Sequence, residues 1–414
     1  MPDTTQNENQ NKNIVEQQKR TIRTLSAAQV FNGVGIAGTV AAGSLLVTSI
    51  SNSESLAGLA QTTTVLGAAM MALPLAKLTQ KGGRRLSLMI GYSVGVIGSI
   101  LAILGGTHKI LFLMLTGTFL VGAASASGYQ ARFAAIDLAT NENRSKNLSI
   151  VVWGSTVGAV AGPNLMQPAG EFSHFLNLPR LVGPYMIAGV SLSLATIVIY
   201  FFLKPDPYLT ANLSSDGLTQ KKHETTRAAL KHIRALPNAS FAVASIGVGH
   251  LAMVSIMVMT PVHMSHMDVA LSVIGLVISV HVLGMYAFSP IVGALSDKLG
   301  RVRVIQIGIL ILFSAATLAG LAPDMQTVPL GIALFLLGLG WSCTLIAGST
   351  FLSESVSVEM KPSSQGASDL VMNLMGALGG AASGLIIGVF SFGWLCVFVG
   401  SLILALGVWS LKIK

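Results

Sequence analysis

GALSDKLGRVR, residues 293–303, is a short basic join between two long apolar runs. Before it lies LSVIGLVISVHVLGMYAFSPIV (271–292), and after it VIQIGILILFSAATLAGLA (304–322). Each run has about the 20 apolar residues that a helix needs to cross a bilayer, so the join marks a turn between two spans. Working outward, comparable windows lie near 24–50, 55–78, 86–106, 110–136, 147–169 and 181–203. They resume near 238–262, 269–295, 302–322, 327–352, 364–390 and 392–412. The expected fold is an all-α membrane protein of twelve transmembrane helices in two six-helix sets. Residues 1–22 read as a disordered tail, 23–203 as an N-terminal bundle, 204–237 as a polar linker and 238–414 as a C-terminal bundle.

Composition narrows the function. Of the 414 residues 52% are hydrophobic and 10% charged, with a mean hydropathy of +0.70; soluble domains carry about 25% charged residues. The formal charge of +9 comes without basic low-complexity tracts and with only 6% aromatics, which argues against a nucleic-acid partner. The two cysteines, Cys343 and Cys396, form no CxxC pair. No phosphate-binding GxxxxGK[ST] occurs, and His223-Glu224 runs on into Thr225, Thr226 and Arg227 rather than HExxH. The expectation is no enzyme and no permanently bound cofactor. The partners are the lipid bilayer and a small substrate or metal ion, with a monomer as the working state.

Orientation follows from the bases. Of the 25, those flanking the first span, in the 77–85, 144–146 and 298–303 joins, in the middle loop, at Lys361 and at the C-terminus number 22. Only Lys109 and Arg180 fall on the other side, and Arg132 lies at the boundary. Both termini are therefore expected in the cytoplasm of a cell inner-membrane protein.

The halves repeat. Gly83, Arg84, Asp137, Glu142 and Arg144 are matched 217 positions later by Gly300, Arg301, Glu354, Glu359 and Lys361. Two homologous six-helix halves are a known transporter architecture. GALSDKLGRVR also resembles the G-x-x-x-D-[RK]-x-G-R signature of the major facilitator superfamily. AKLTQKGGRR (76–85) is its first-half copy, with Gln80 in place of the aspartate. The resemblance implies a secondary transporter that exposes a midplane site by rocking its halves, with gating residues Asp297, Arg301, Arg84, Arg85, Asp137 and Glu354. Asp297 would face a helix N-terminus, and Arg84 or Arg85 would pair with Asp137; both arrangements are electrostatically favourable.

Gly154, Gly158, Gly162 and Pro163 in span five, and Gly376, Gly380 and Gly384 in span eleven, make faces of small residues on which helices can approach closely. The span-five GxxxGP also resembles the antiporter motif of facilitator-family drug exporters.

Spans seven and eight hold the candidate site. Met253, Met257, Met259, Met264, Met267 and Met285, six of 17 methionines, fall within 33 residues, together with His250, His263, His266 and His281. At 100° per residue His250, Met253 and Met257 share one face, as do His281 and Met285. A hairpin centred near residue 265 places His250 level with His281. The ladder then descends from His263 and His266 through Met257 and Met253 to the two histidines, with Met285 beneath. Neutral thioether and imidazole ligands suit Cu(I), and no central carboxylate is present for harder ions.

Met253-x-x-x-Met257 and His281-x-x-x-Met285 resemble the signature of the CcoA-like copper importers, a bacterial branch of the same superfamily. That resemblance makes Met253, Met257, His281 and Met285 copper ligands; helical phase adds His250. The alternative is a proton-coupled exporter of drugs or small organic compounds, with His250 or His281 as the titrating group.

Overall fold

The computed structural model describes residues 4–52, 56, 58–213, 226–266, 271–322 and 327–413. Among them all extended regular structure is helical, as a bilayer requires of a chain that must satisfy its own backbone hydrogen bonds. The chain packs as two units divided at residues 223 and 224.

The first unit contains α1 (Thr4–Ser51), α2 (Leu59–Thr107), α3 (Leu111–Ala134), α4 (Arg144–Asn164), α5 (Met166–Phe175), α6 (Gly183–Phe202) and α7 (Pro207–Leu213). Its core joins Leu25 of α1, Leu88 and Tyr92 of α2, Ala124 and Ala131 of α3, Val151 of α4 and Leu192 of α6. The second unit contains α8 (Thr226–Ala235), α9 (Pro237–His266), α10 (Leu271–Tyr286), α11 (Ser289–Leu299), α12 (Arg301–Leu321), α13 (Thr327–Ser355), α14 (Lys361–Val389) and α15 (Phe392–Ser410).

Among the described residues ten helices are long and apolar enough to cross a membrane, and α4 and α5, bent by 58° at their break, meet the same test as a pair. The bend follows Gly162-Pro163, where proline supplies no backbone N–H to the helix. The 49-residue α2 covers two of the predicted windows. It turns at Gly83, whose φ of 83° and ψ of 178° are not helical. Gly300, its counterpart in the repeat, separates α11 from α12 with φ 94° and ψ 153°. These positive φ values are open to glycine and strained for other residues.

Two expectations about connecting segments change. The tail read as disordered is helical from Thr4, continuous with the first span. Residues 4–22 contain no glycine or proline, and side chains anchor the extension. Gln18 Nε2 donates to Ala135 O at 2.7 Å, and Gln17 Nε2 donates to Pro205 O at 3.1 Å and to Thr210 Oγ1 at 3.0 Å. The polar linker likewise contains α7 and α8, the latter burying Ala229 and Ile233 against Ala242, Leu352 and Ala367. Short amphipathic stretches were hidden in the average polarity of that segment.

The small-residue faces pack as read. Gly158 meets the backbone of Gly33 on α1 so closely that no side chain fits between them. On α14, Gly376 receives the ring of His250 and Gly380 faces Val254, both from α9.

Candidate functional site

Each unit carries an arginine clamp next to its positive-φ glycine. In the first, Arg84 Nε lies 2.8 Å from Asp137 Oδ2 and Nη2 lies 3.1 Å from Oδ1, a two-pronged pairing; Nη1 reaches Gln130 Oε1 at 3.3 Å. The Arg84 side chain is 0% exposed and that of Asp137 6%. In the second, Arg301 Nη2 lies 3.0 Å from Glu354 Oε1, and Nη1 lies 2.8 Å from Asp297 Oδ1 and 2.8 Å from Ser296 O. Asp137, expected to pair with Arg84 or Arg85, is thus joined to Arg84, and Arg301 is joined to Glu354, a pairing the sequence reading had not specified. Asp297 pairs with the side chain of Arg301.

Of the two arginines offered to Asp137, Arg84 takes it. Arg85 turns elsewhere: its Nε donates to Tyr200 O at 3.0 Å, and its guanidinium lies 4.7 Å from the Tyr200 ring centre. Sequence reasoning missed Asp206. Its Oδ2 accepts from the Arg85 backbone N–H at 2.7 Å, and its Oδ1 accepts from Tyr208 N at 2.9 Å and Leu209 N at 3.1 Å. The Pro-Asp-Pro setting at 205–207 was the available signal.

The Met/His residues lie on two helices that both pack against α13. His281 is 0% exposed, and its Nδ1 lies 2.7 Å from Leu334 O. A carbonyl only accepts, so the proton sits on Nδ1 and the Nε2 lone pair is left. Nε2 is buried and has no hydrogen-bond partner among the described residues. Met285, 7% exposed, lies beside it against Gly338.

His250 has the opposite tautomer. Its Nδ1 accepts from Trp341 Nε1 at 3.1 Å, and an indole N–H only donates. In the neutral ring the proton is then on Nε2, the edge that faces Gly376. Trp341 also meets the Tyr286 ring edge-on, with centroids 5.7 Å apart. Trp341, Tyr286 and the Leu334 carbonyl were absent from the sequence reading.

These contacts revise the expected ladder. His250 sits at Trp341, whereas His281 reaches Leu334, seven residues earlier on α13; at 1.5 Å per residue that separation is about 10 Å. The connection between α9 and α10 lies outside the described residues. His250 and Tyr286 both meet the Trp341 ring. Met285 follows His281 by one turn on α10, Met253 and Met257 lie one turn apart on α9, and His250 has its Nδ1 engaged by Trp341. Met253 is buried and Met257 partly buried. The side chains of His263 and His266, and Met267 entirely, lie outside the described residues.

Among the described residues no three His, Cys, Asp or Glu side chains gather in a way that could hold a metal. A metal here would depend on thioether sulfur. Cys343 is buried with its Cβ against Gly308, a packing position.

Long apolar helices in two units with matching charged clamps define a polytopic membrane carrier. The chain belongs to the Major Facilitator Superfamily, whose family model matches residues 25–273 and 248–414. It is 35% identical over 395 residues to the "Uncharacterized MFS-type transporter YdeG" of Bacillus subtilis, covering 95% of this chain and 92% of that protein. It is 26% identical over 357 residues to the riboflavin transporter RfnT of Brucella anthropi, covering 86% and 85%. Among solved structures it superposes on the human organic anion transporter MFSD10 with a TM-score of 0.76, covering 95% of this chain and 99% of that one. Their identity is 13%, so that likeness is one of fold. The protein is a multi-pass, non-enzymatic secondary transporter of a small substrate.

Proposed function

We propose that this transporter imports copper, carried as Cu(I) by His281 Nε2 together with Met285, Met253 and Met257. The observation that carries the reading is the state of His281. Its Nδ1–H is held by the Leu334 carbonyl, while Nε2 is buried and meets no hydrogen-bond partner among the described residues. Metal-binding histidines are held by such a bond at the other nitrogen, which fixes the tautomer and aims the ligand. In this reading Met285, one turn from His281, and Met253 and Met257 on α9 supply soft, neutral donors that can release the ion. His250 leaves the ligand set, because Trp341 occupies its Nδ1.

In this reading the Arg84–Asp137 and Arg301–Asp297–Glu354 clamps are gating elements, and Arg85 supports the first through Tyr200. Both termini face the cytoplasm of a cell inner membrane, in accord with the distribution of the bases. A single chain suffices, since it contains both halves of the repeat.

A second reading is a small organic substrate, taken up or expelled with proton coupling. It is favoured by the relationship to the riboflavin transporter RfnT, and the His250–Trp341–Tyr286 ring cluster could face a flat heterocycle.

Radioactive copper and radioactive riboflavin uptake in cells lacking their own importers separates the two. Copper uptake lost in Met253→Ala and His281→Ala at equal membrane levels supports the first reading. Riboflavin uptake without copper uptake overturns it in favour of the second.

A further inference from the structure

The repeat contains one break. Arg301 lies between two carboxylates, Asp297 and Glu354, but the position equivalent to Asp297 in the first unit is Gln80. Arg84 therefore keeps Asp137 and loses the carboxylate expected four residues before it. A second carboxylate nevertheless reaches this clamp. Asp206, on the turn between α6 and α7, lies against Gly83 and accepts from the Arg85 N–H, the residues on either side of Arg84.

We propose that Asp206 is the clamp carboxylate of the first unit, replacing in space the aspartate that Gln80 does not provide. Three observations support it. Asp206 Oδ2 accepts the Arg85 N–H at the first turn of the second limb of α2, where the unsatisfied N–H groups of a helix start favour a negative charge. The carboxylate fills the space beside Gly83 that a Cβ would take. The turn that carries it is itself held, from within by the Tyr208 and Leu209 N–H groups and from α1 by Gln17. Tyr208, two residues on, places its ring 5.8 Å from the Arg84 guanidinium carbon.

The consequence is a difference between the halves. In the second, the extra carboxylate belongs to the helix preceding the glycine, so the clamp is local. In the first it comes from the end of α6, and the Gly83 bend is tied to α6, α7 and the extension of α1. Asp206 acts through Arg84 and Arg85 and is a positioning residue. The proposal does not depend on what is transported.

The test uses Ser87, which is buried across the bend with its Oγ 2.7 Å from Leu75 O. Ser87→Cys in the full-length protein, with Cys343 and Cys396 replaced by alanine, is labelled with a membrane-permeant maleimide. Labelling should be slow in this parent and at least about fivefold faster after Asp206→Ala, the separation needed to exceed ordinary scatter for a lost charge-assisted bond. Adding Gln80→Asp should return it to within about twofold of the parent, which a merely structural cap would not allow. Asp206→Asn keeps an acceptor for Arg85 N–H but removes the charge. It should label about two- to threefold faster, again reversed by Gln80→Asp, and it serves if the alanine variant does not fold. Parental rates in the Asp206 variants, or faster labelling that Gln80→Asp leaves unchanged, would overturn the proposal.

Discussion

The guanidinium of Arg84 grips the carboxylate of Asp137 with two prongs, at 2.8 and 3.1 Å, with no solvent exposure of the arginine side chain. Its counterpart, Arg301 with Glu354, is wetter, at 10% and 25% exposure. The same sequence pattern thus yields a dry clamp in one half and a solvated clamp in the other.

That difference sets the expected cost of breaking each. Removing one partner of a buried pair strands the other charge and costs about 3–5 kcal/mol, whereas solvated pairs contribute about 0–1 kcal/mol. Arg84→Ala or Asp137→Ala should therefore lower the apparent Tm of the purified protein far more than Glu354→Ala, which leaves Arg301 paired with Asp297. Arg84→Lys should recover only part of the loss, since lysine has no planar fork. Equal effects at the two sites would contradict the burial argument.

The paired glycines give a second contrast. Gly83 and Gly300 have similar positive φ values, 83° and 94°, so alanine incurs comparable backbone strain of about 1–3 kcal/mol at each. A Cβ at Gly300 meets nothing within 4 Å, while one at Gly83 runs into the Asp206 carboxyl group. Thermal unfolding should show Gly83→Ala to be the more damaging.

Trp341→Phe tests the role of His250. The ring contact to Tyr286 persists, but His250 Nδ1 loses its donor, at a cost of about 1–3 kcal/mol for the unsatisfied atom. Because His250 is outside the ligand set, His250→Gln should retain copper uptake within about threefold, whereas a lost soft ligand should cost tenfold or more. Uptake abolished equally by His250→Gln and His281→Ala would return His250 to the site.

Much of this architecture was legible because lipid makes it so. Twenty apolar residues in a row have few options, and the 217-residue echo from Gly83 to Gly300 singled out the charged positions from which the clamps are built, though not how they pair. The chemistry of the clamps was harder to read. Nothing local to Gln80 indicates that Asp206, over 120 residues away, supplies a carboxylate there. The relative depths of His250 and His281 were not legible, because the α13 groups that separate them, Trp341 and the Leu334 carbonyl, lie far away in sequence. The state of the His281 nitrogens was beyond reach, because the Leu334 carbonyl that fixes it carries no side-chain signature.

The copper claim rests on one nitrogen, and X-ray absorption of the purified transporter loaded with Cu(I) tests it most directly. The account predicts a mixed shell of about one nitrogen and two or three sulfur ligands, with the nitrogen contribution lost in His281→Ala and retained in His250→Gln. A wild-type shell without sulfur, or one unchanged by His281→Ala, would contradict it.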